Sequence, residues 1–122
     1  MQAMDPQLVQ EVELLYSQVC HAVGDPKRLM ILYALAGGQR RYVSELAEEL
    51  GIPQPTVSRH LKILRDRCLV TATRDGATVY YARKDERIIQ ALDLLRAMLR
   101  DRLAEQAQLA RFDALSAGLD NT

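Results

Sequence analysis

Apolar residues recur at helical spacing from the start of the chain. Leu8, Val12, Leu15, Val19 and Val23 follow one another at intervals of three and four, with Val9 and Tyr16 beside them. This is the stripe of an amphipathic helix. Asp5-Pro6 supplies its start, an N-cap followed by proline at the first helical position, and Gly24 ends it. Asp25-Pro26 repeats the signal, and Leu29, Ile31, Leu32 and Leu35 carry a second helix to Gly37-Gly38. Arg40–Tyr42 is a short connector with room for one strand pairing. Val43 to Leu50 is a third, short helix with Leu46, Ala47 and Leu50 inward. Gly51 to Pro53 then forms a turn. A fourth helix starts at about Gln54, because Ile52 and Gln54 each precede a proline and so disfavour helical geometry. Pro55 sits in its first turn, where a missing N–H costs little.

After Cys68 the period changes. Leu69–Arg74 and Ala77–Tyr81 are rich in β-branched and aromatic residues, and Asp75-Gly76 between them is a strong hairpin signal. A last helix starts near Asp85, with Ile88, Leu92, Leu95, Leu99 and Leu103 on one stripe. Leu109, Phe112 and Leu115 either continue it or follow a kink. The order is α-α-α-α-β-β-α, mainly helical with a small hairpin. A short helix, a tight turn and a second helix make a helix-turn-helix, and the hairpin makes it winged. The expected organisation is one domain over 1–117. The helix-turn-helix occupies 43–67 and the wing 69–82, with long flanking helices over 5–23 and 85–116 and a frayed tail over 118–122.

The fourth helix changes the picture from fold to function. Val57, Leu61, Leu64 and Cys68 share one stripe, while Gln54, Ser58, Lys62 and Arg65 share another, with Arg59 beside it. The net charge of the 122-residue chain is zero, but residues 51–84 carry seven Lys/Arg against two Asp/Glu, a local balance of +5. A phosphate backbone responds to that local field. The plain alternative is the solvated face of an ordinary amphipathic helix. No apolar run approaches a membrane span, and no signal-peptide pattern opens the chain. Two cysteines 48 residues apart, without a CxxC, suit a reducing cytoplasm.

Three motifs together resemble the ArsR/SmtB family of bacterial transcriptional repressors. They are AVGDPKRLMIL at Ala22–Leu32, VSELAEELGIPQPTVSRHLKILRDRCLV from Val43, and the wing TRDGATVYYAR. The resemblance covers about Val19 to Arg83. It implies a homodimer formed by the first and last helices, with Leu8, Val12, Leu15, Leu92, Leu95, Leu99 and Leu103 at the interface. The apolar excess of the last helix agrees. It implies double-stranded operator DNA as partner, an inverted-repeat site, and release by an effector of unknown identity.

On the wheel, Gln54, Ser58, Arg59 and Lys62 face the groove. Arg59 suits a bidentate contact to guanine, and Gln54 a contact to adenine or a phosphate. Thr56 and Ser58 suit phosphate contacts or helix capping. Lys62 and Arg65 reach the backbone, and Arg74 at the hairpin tip suits the minor groove or a phosphate. His60 lies at the edge of the apolar stripe and reads as a packed, hydrogen-bonded residue.

The family's metalloid sensors carry a Cys-x-Cys pair where this chain has Tyr42 and Ser44. Its zinc and nickel sensors carry histidines on the last helix, and there is none between Asp85 and Thr122. No metal and no cofactor is therefore expected. Cys20 and Cys68 leave two readings open. They are small buried hydrophobes on apolar stripes, or a thiol switch acting at the end of the fourth helix. An enzyme is disfavoured for want of a nucleophile–base pair, phosphate loop or metal set. A protein-binding winged helix and a ligand-independent regulator stand as alternatives.

Overall fold

The structure, a computed structural model, describes residues 2–120. It comprises two compact units, Met1–Glu86 and Arg87–Thr122. The first begins with α1, Pro6–Leu15, capped by the Asp5 carboxylate, which accepts from the Gln7 N–H at 3.1 Å. The helix continues through a π-helical turn, Tyr16–Cys20, and a last α turn, His21–Val23. Helix α2, Pro26–Ala34, is capped by Asp25, whose Oδ1 accepts from the N–H groups of Lys27 (2.8 Å) and Arg28 (3.2 Å). In both helices proline occupies the first turn, as Asp-Pro predicts.

Helix α3, Val43–Leu50, and helix α4, Gln54–Asp66, have the bounds that the sequence suggests. Gly51 makes the turn between them. Its φ of 66° is left-handed. It positions two closing bonds, Gly51 N–H to Glu48 O (3.4 Å) and Ile52 N–H to Ala47 O (3.1 Å). This is the Schellman arrangement, which favours glycine at the left-handed position.

The connector forms strand β1, Arg41–Tyr42, and the hairpin forms β2, Val70–Asp75, and β3, Thr78–Arg83. All pairings are antiparallel in the order β1-β3-β2. Tyr42 pairs with Tyr80, and Val70 with Arg83. Asp75 belongs to the strand rather than the loop, because it pairs with Thr78 and leaves Gly76-Ala77 to turn the chain. Gly76 has a φ of 64° at the first loop position.

The core of this unit gathers Ala22, Ile31, Leu32, Leu35, Leu46, Ile52, Val57, Leu61, Leu64 and Val70. The stripe Val57-Leu61-Leu64 of α4 lies fully buried, and α4 packs on α2, α3 and β2. That burial fixes the roll of α4 about its axis, so the opposite face is held outward.

The second unit is one helix, α5, Arg87–Asp120. It runs without interruption through Leu109, Phe112 and Leu115, so the kink is not needed. It also includes Gly118, within the tail expected over 118–122. Residues 121–122 of the expected tail lie outside the described residues. Leu95, Leu99 and Leu103 are more than half exposed, as are Leu94, Met98 and Phe112. Leu92 is buried within the single chain. Leu8, Val12 and Leu15 on α1 are exposed. No helix among the described residues is long and apolar enough to cross a membrane.

Candidate nucleic-acid interface

With Val57, Leu61 and Leu64 inward, α4 presents Gln54, Ser58, Arg59, Lys62 and Arg65 to solvent. Five side chains chosen from periodicity thus share one exposed surface. Thr56 is half-buried, and its Oγ1 lies 3.4 Å from Arg59 Nη2, which donates to it. Thr56 therefore holds the guanidinium end of the Arg59 side chain along the helix. Arg74 is exposed on β2, one pair before the hairpin closes.

Sequence reasoning missed Arg40. Its guanidinium lies 4.2 Å from the centroid of the Tyr80 ring and pairs with Asp75 at 3.0 Å. Tyr80 in turn meets Tyr42 edge-to-face, with centroids 5.9 Å apart. Arg40 therefore ties the wing tip to the connector before α3. No local pattern signals this, because Arg40 and Asp75 lie 35 residues apart.

Arg28 was missed for the opposite reason: nothing near it in sequence asks for a cation. It donates from Nε to Ala22 O and from Nη2 to His21 O, and its Nη1 lies 3.2 Å from His60 Nδ1. A guanidinium has donors only, so Nδ1 must accept and the ring is neutral with its proton on Nε2. Burial lowers the His60 pKa below its ordinary value; Asp25 opposes this, and Arg28, Lys27 and Arg59 reinforce it. His60 is therefore packed and hydrogen-bonded, as its place at the stripe edge suggested. The Asp25 carboxyl shows a net lowered pKa. Burial acts to raise it, but the Arg28 and Lys27 N–H groups and the Arg28 charge prevail.

The cysteines depart from the apolar-stripe expectation. Helix α4 ends at Asp66, before its stripe reaches Cys68. Cys68 instead takes a φ of 60° in a second Schellman turn, with Cys68 N–H to Arg65 O (3.0 Å) and Leu69 N–H to Leu64 O (2.9 Å). The residue is exposed and its thiol is free. Cys20 closes the π turn, which holds one residue more than an α turn and rotates the helix out of register; it too is exposed. Neither is a buried hydrophobe. Among the described residues, no three His, Cys, Asp or Glu side chains come together so as to hold a metal ion.

Comparison with known proteins agrees with this geometry. Residues 25–72 match the model of the bacterial regulatory protein, arsR family. An HTH-type transcriptional regulator of Methanocaldococcus jannaschii, itself uncharacterized, is 38% identical over 79 residues, which cover 65% of this chain and 89% of that one. The chain belongs to the ArsR family. Among solved ArsR-like folds, NolR from Sinorhizobium fredii superposes with a TM-score of 0.69 at 33% identity, covering 80% of this chain and 96% of that one. A second is the solution structure of a homodimeric winged helix-turn-helix DNA-binding domain from Mycobacterium bovis, a possible ArsR-family transcriptional regulator. It matches with a TM-score of 0.68 at 27% identity, covering 84% of this chain and 94% of that one. In this ArsR-family chain, then, α3 and α4 are the helix-turn-helix and β2–β3 the wing.

Proposed function

We propose that this chain is a transcriptional repressor that binds an inverted-repeat operator as a homodimer and leaves it when an effector acts. The observation that carries the reading is α4: one face is locked into the core through Val57, Leu61 and Leu64, and the other offers Gln54, Ser58, Arg59 and Lys62. A helix so held is a rigid probe of the size of a major groove. Arg59 reads a base edge, Lys62 and Arg65 reach phosphates, and Arg74 carries the wing to the flanking minor groove. Exposed Leu8, Val12 and Leu15 of one helix and Leu95, Leu99 and Leu103 of another supply the subunit surface. The reading assigns the chain no catalytic chemistry and sets its work in the cytoplasm.

Selection of bound sequences from a random duplex pool tests this. The expected product is an inverted repeat with half-site centres about 10 bp apart, or a multiple of that. Affinity should fall steeply with salt. Selection of no sequence, with salt-independent retention, would sink the reading in favour of a protein-binding winged helix. For the effector, the exposed thiols of Cys20 and Cys68 support a chemical signal over a metal, since a reagent must reach a thiol to modify it. Repeating the selection under oxidant, with and without Cys68→Ser, decides whether Cys68 takes part.

A further inference from the structure

A groove of about 620 Å³ opens between the start of α3, the start of α4 and the wing. Its polar lining is Tyr42, Ser44, Gln54, Thr78 and Tyr80, and among the described residues no charged side chain lines it. Carboxylates close by are already engaged. Glu45 accepts from the Tyr42 N–H at 3.2 Å and faces Arg41 at 4.0 Å, and Asp75 is paired with Arg40. The groove is therefore a strip of neutral hydroxyl and amide donors, free of repulsion toward an anion.

Its place in the fold names the occupant. A helix in a major groove and a hairpin in the flanking minor groove straddle one sugar–phosphate strand. Whatever surface lies between α4 and the wing faces that strand. We infer that this groove seats the phosphodiester backbone of the operator, held by the hydroxyls of Tyr42, Ser44 and Thr78 and the amide of Gln54. This rests on the DNA-binding reading of α4. It assigns a role to Tyr42 and Ser44, which no family ligand set or wheel position gave them. Hydroxyls and amides donate well to phosphate oxygens, and such contacts fix register without reading sequence.

Neutral contacts leave a signature that cationic ones do not. The salt dependence of DNA affinity counts phosphates neutralised by Lys and Arg. Removing a hydroxyl should therefore weaken binding and leave the slope alone. The test uses the full chain and the duplex selected by the parent protein, titrated at several salt concentrations. Tyr42→Phe keeps the ring against Tyr80, and Ser44→Ala leaves α3 a good helix former, so both variants should fold; circular dichroism checks this. A hydrogen bond to a charged acceptor corresponds to roughly a tenfold loss per protomer, hence about a hundredfold for two half-sites. Each single variant should lose about that much and the double variant, with two hydroxyls gone per protomer, about ten-thousandfold, with the salt slope within about half a unit of the parent. Arg59→Ala and Lys62→Ala serve as references, each expected to change affinity through α4. Parent-like affinity in the double variant, with Arg59→Ala weakened, overturns the groove assignment and leaves the reading of α4 intact. A double variant with a lower slope overturns it as well. A parent that shows no salt-dependent binding refutes the reading of α4 itself.

Discussion

Replacing Cys68 by glycine is expected to stabilise the protein. Among the described residues, Cys68 is the one non-glycine residue with positive φ, at 60°. There a Cβ crowds the following carbonyl, at a cost of roughly 1–2 kcal/mol for an L-residue. The side chain is exposed, so its removal forfeits little packing. Glycine loses more conformational entropy on folding, roughly 0.5–1 kcal/mol. The net gain is therefore about 0.5–1 kcal/mol, or a melting temperature higher by roughly 2–4 °C. The chain contains its own reference. Gly51 sits at the same place in the same pair of closing bonds, with a φ of 66°. Cys68→Ala is the control, since it removes the thiol and keeps the Cβ. The assay is urea unfolding of the three proteins at one protein concentration, because association is coupled to folding in dimers. The expected order is glycine above alanine, with alanine close to the parent. A glycine variant no more stable than the alanine variant would refute the argument that left-handed geometry costs this turn its stability.

Other outcomes follow from the same structure. Arg59→Ala should cost about 1–3 kcal/mol per half-site in operator affinity and relax sequence preference, whereas Lys62→Ala should weaken all duplexes alike and lower the salt slope by about 1 per half-site, about 2 for the dimer; filter binding on operator and scrambled duplex separates them. Asp25→Ala removes an N-cap with two backbone partners and should cost about 1–2 kcal/mol in urea unfolding. Leu61→Ala, at a fully buried position on α4, should cost about 2–5 kcal/mol, with operator affinity falling as the folded fraction falls. His60 has a lowered pKa when folded, so the unfolded chain binds protons first as pH drops. Its contribution is whole above the ordinary histidine pKa of about 6.5 and is lost as pH falls through the folded value. Stability measured from pH 7.5 downward should show this loss in the parent, and a His60→Gln variant should show less of it.

Much of the fold was legible because it depends on local signals. Asp-Pro pairs, Gly51, the proline-flanked start of α4 and the Asp-Gly hairpin act through backbone geometry within a few residues. The exposed face of α4 was legible for the same reason: once the apolar stripe is known, the opposite side is fixed. What escaped the sequence depends on neighbours distant along the chain. Arg28 meets His60 across 32 positions, and Arg40 meets Asp75 across 35. Cys68 misled because a helical wheel has no term for where a helix ends. Cys20 misled because a wheel assumes one period, and the π turn breaks it.

The Arg28 node has a mechanical consequence. Its guanidinium joins two carbonyls at the end of the first helical segment to a ring on the DNA-facing helix. Two of the three anchor points are backbone atoms, which no side-chain substitution can delete. The tilt of α4 is thus referenced to the same rod whose other end bears Leu8, Val12 and Leu15. That arginine fixes the angle between the two helices, so removing it would leave α4 free to pivot on its apolar stripe.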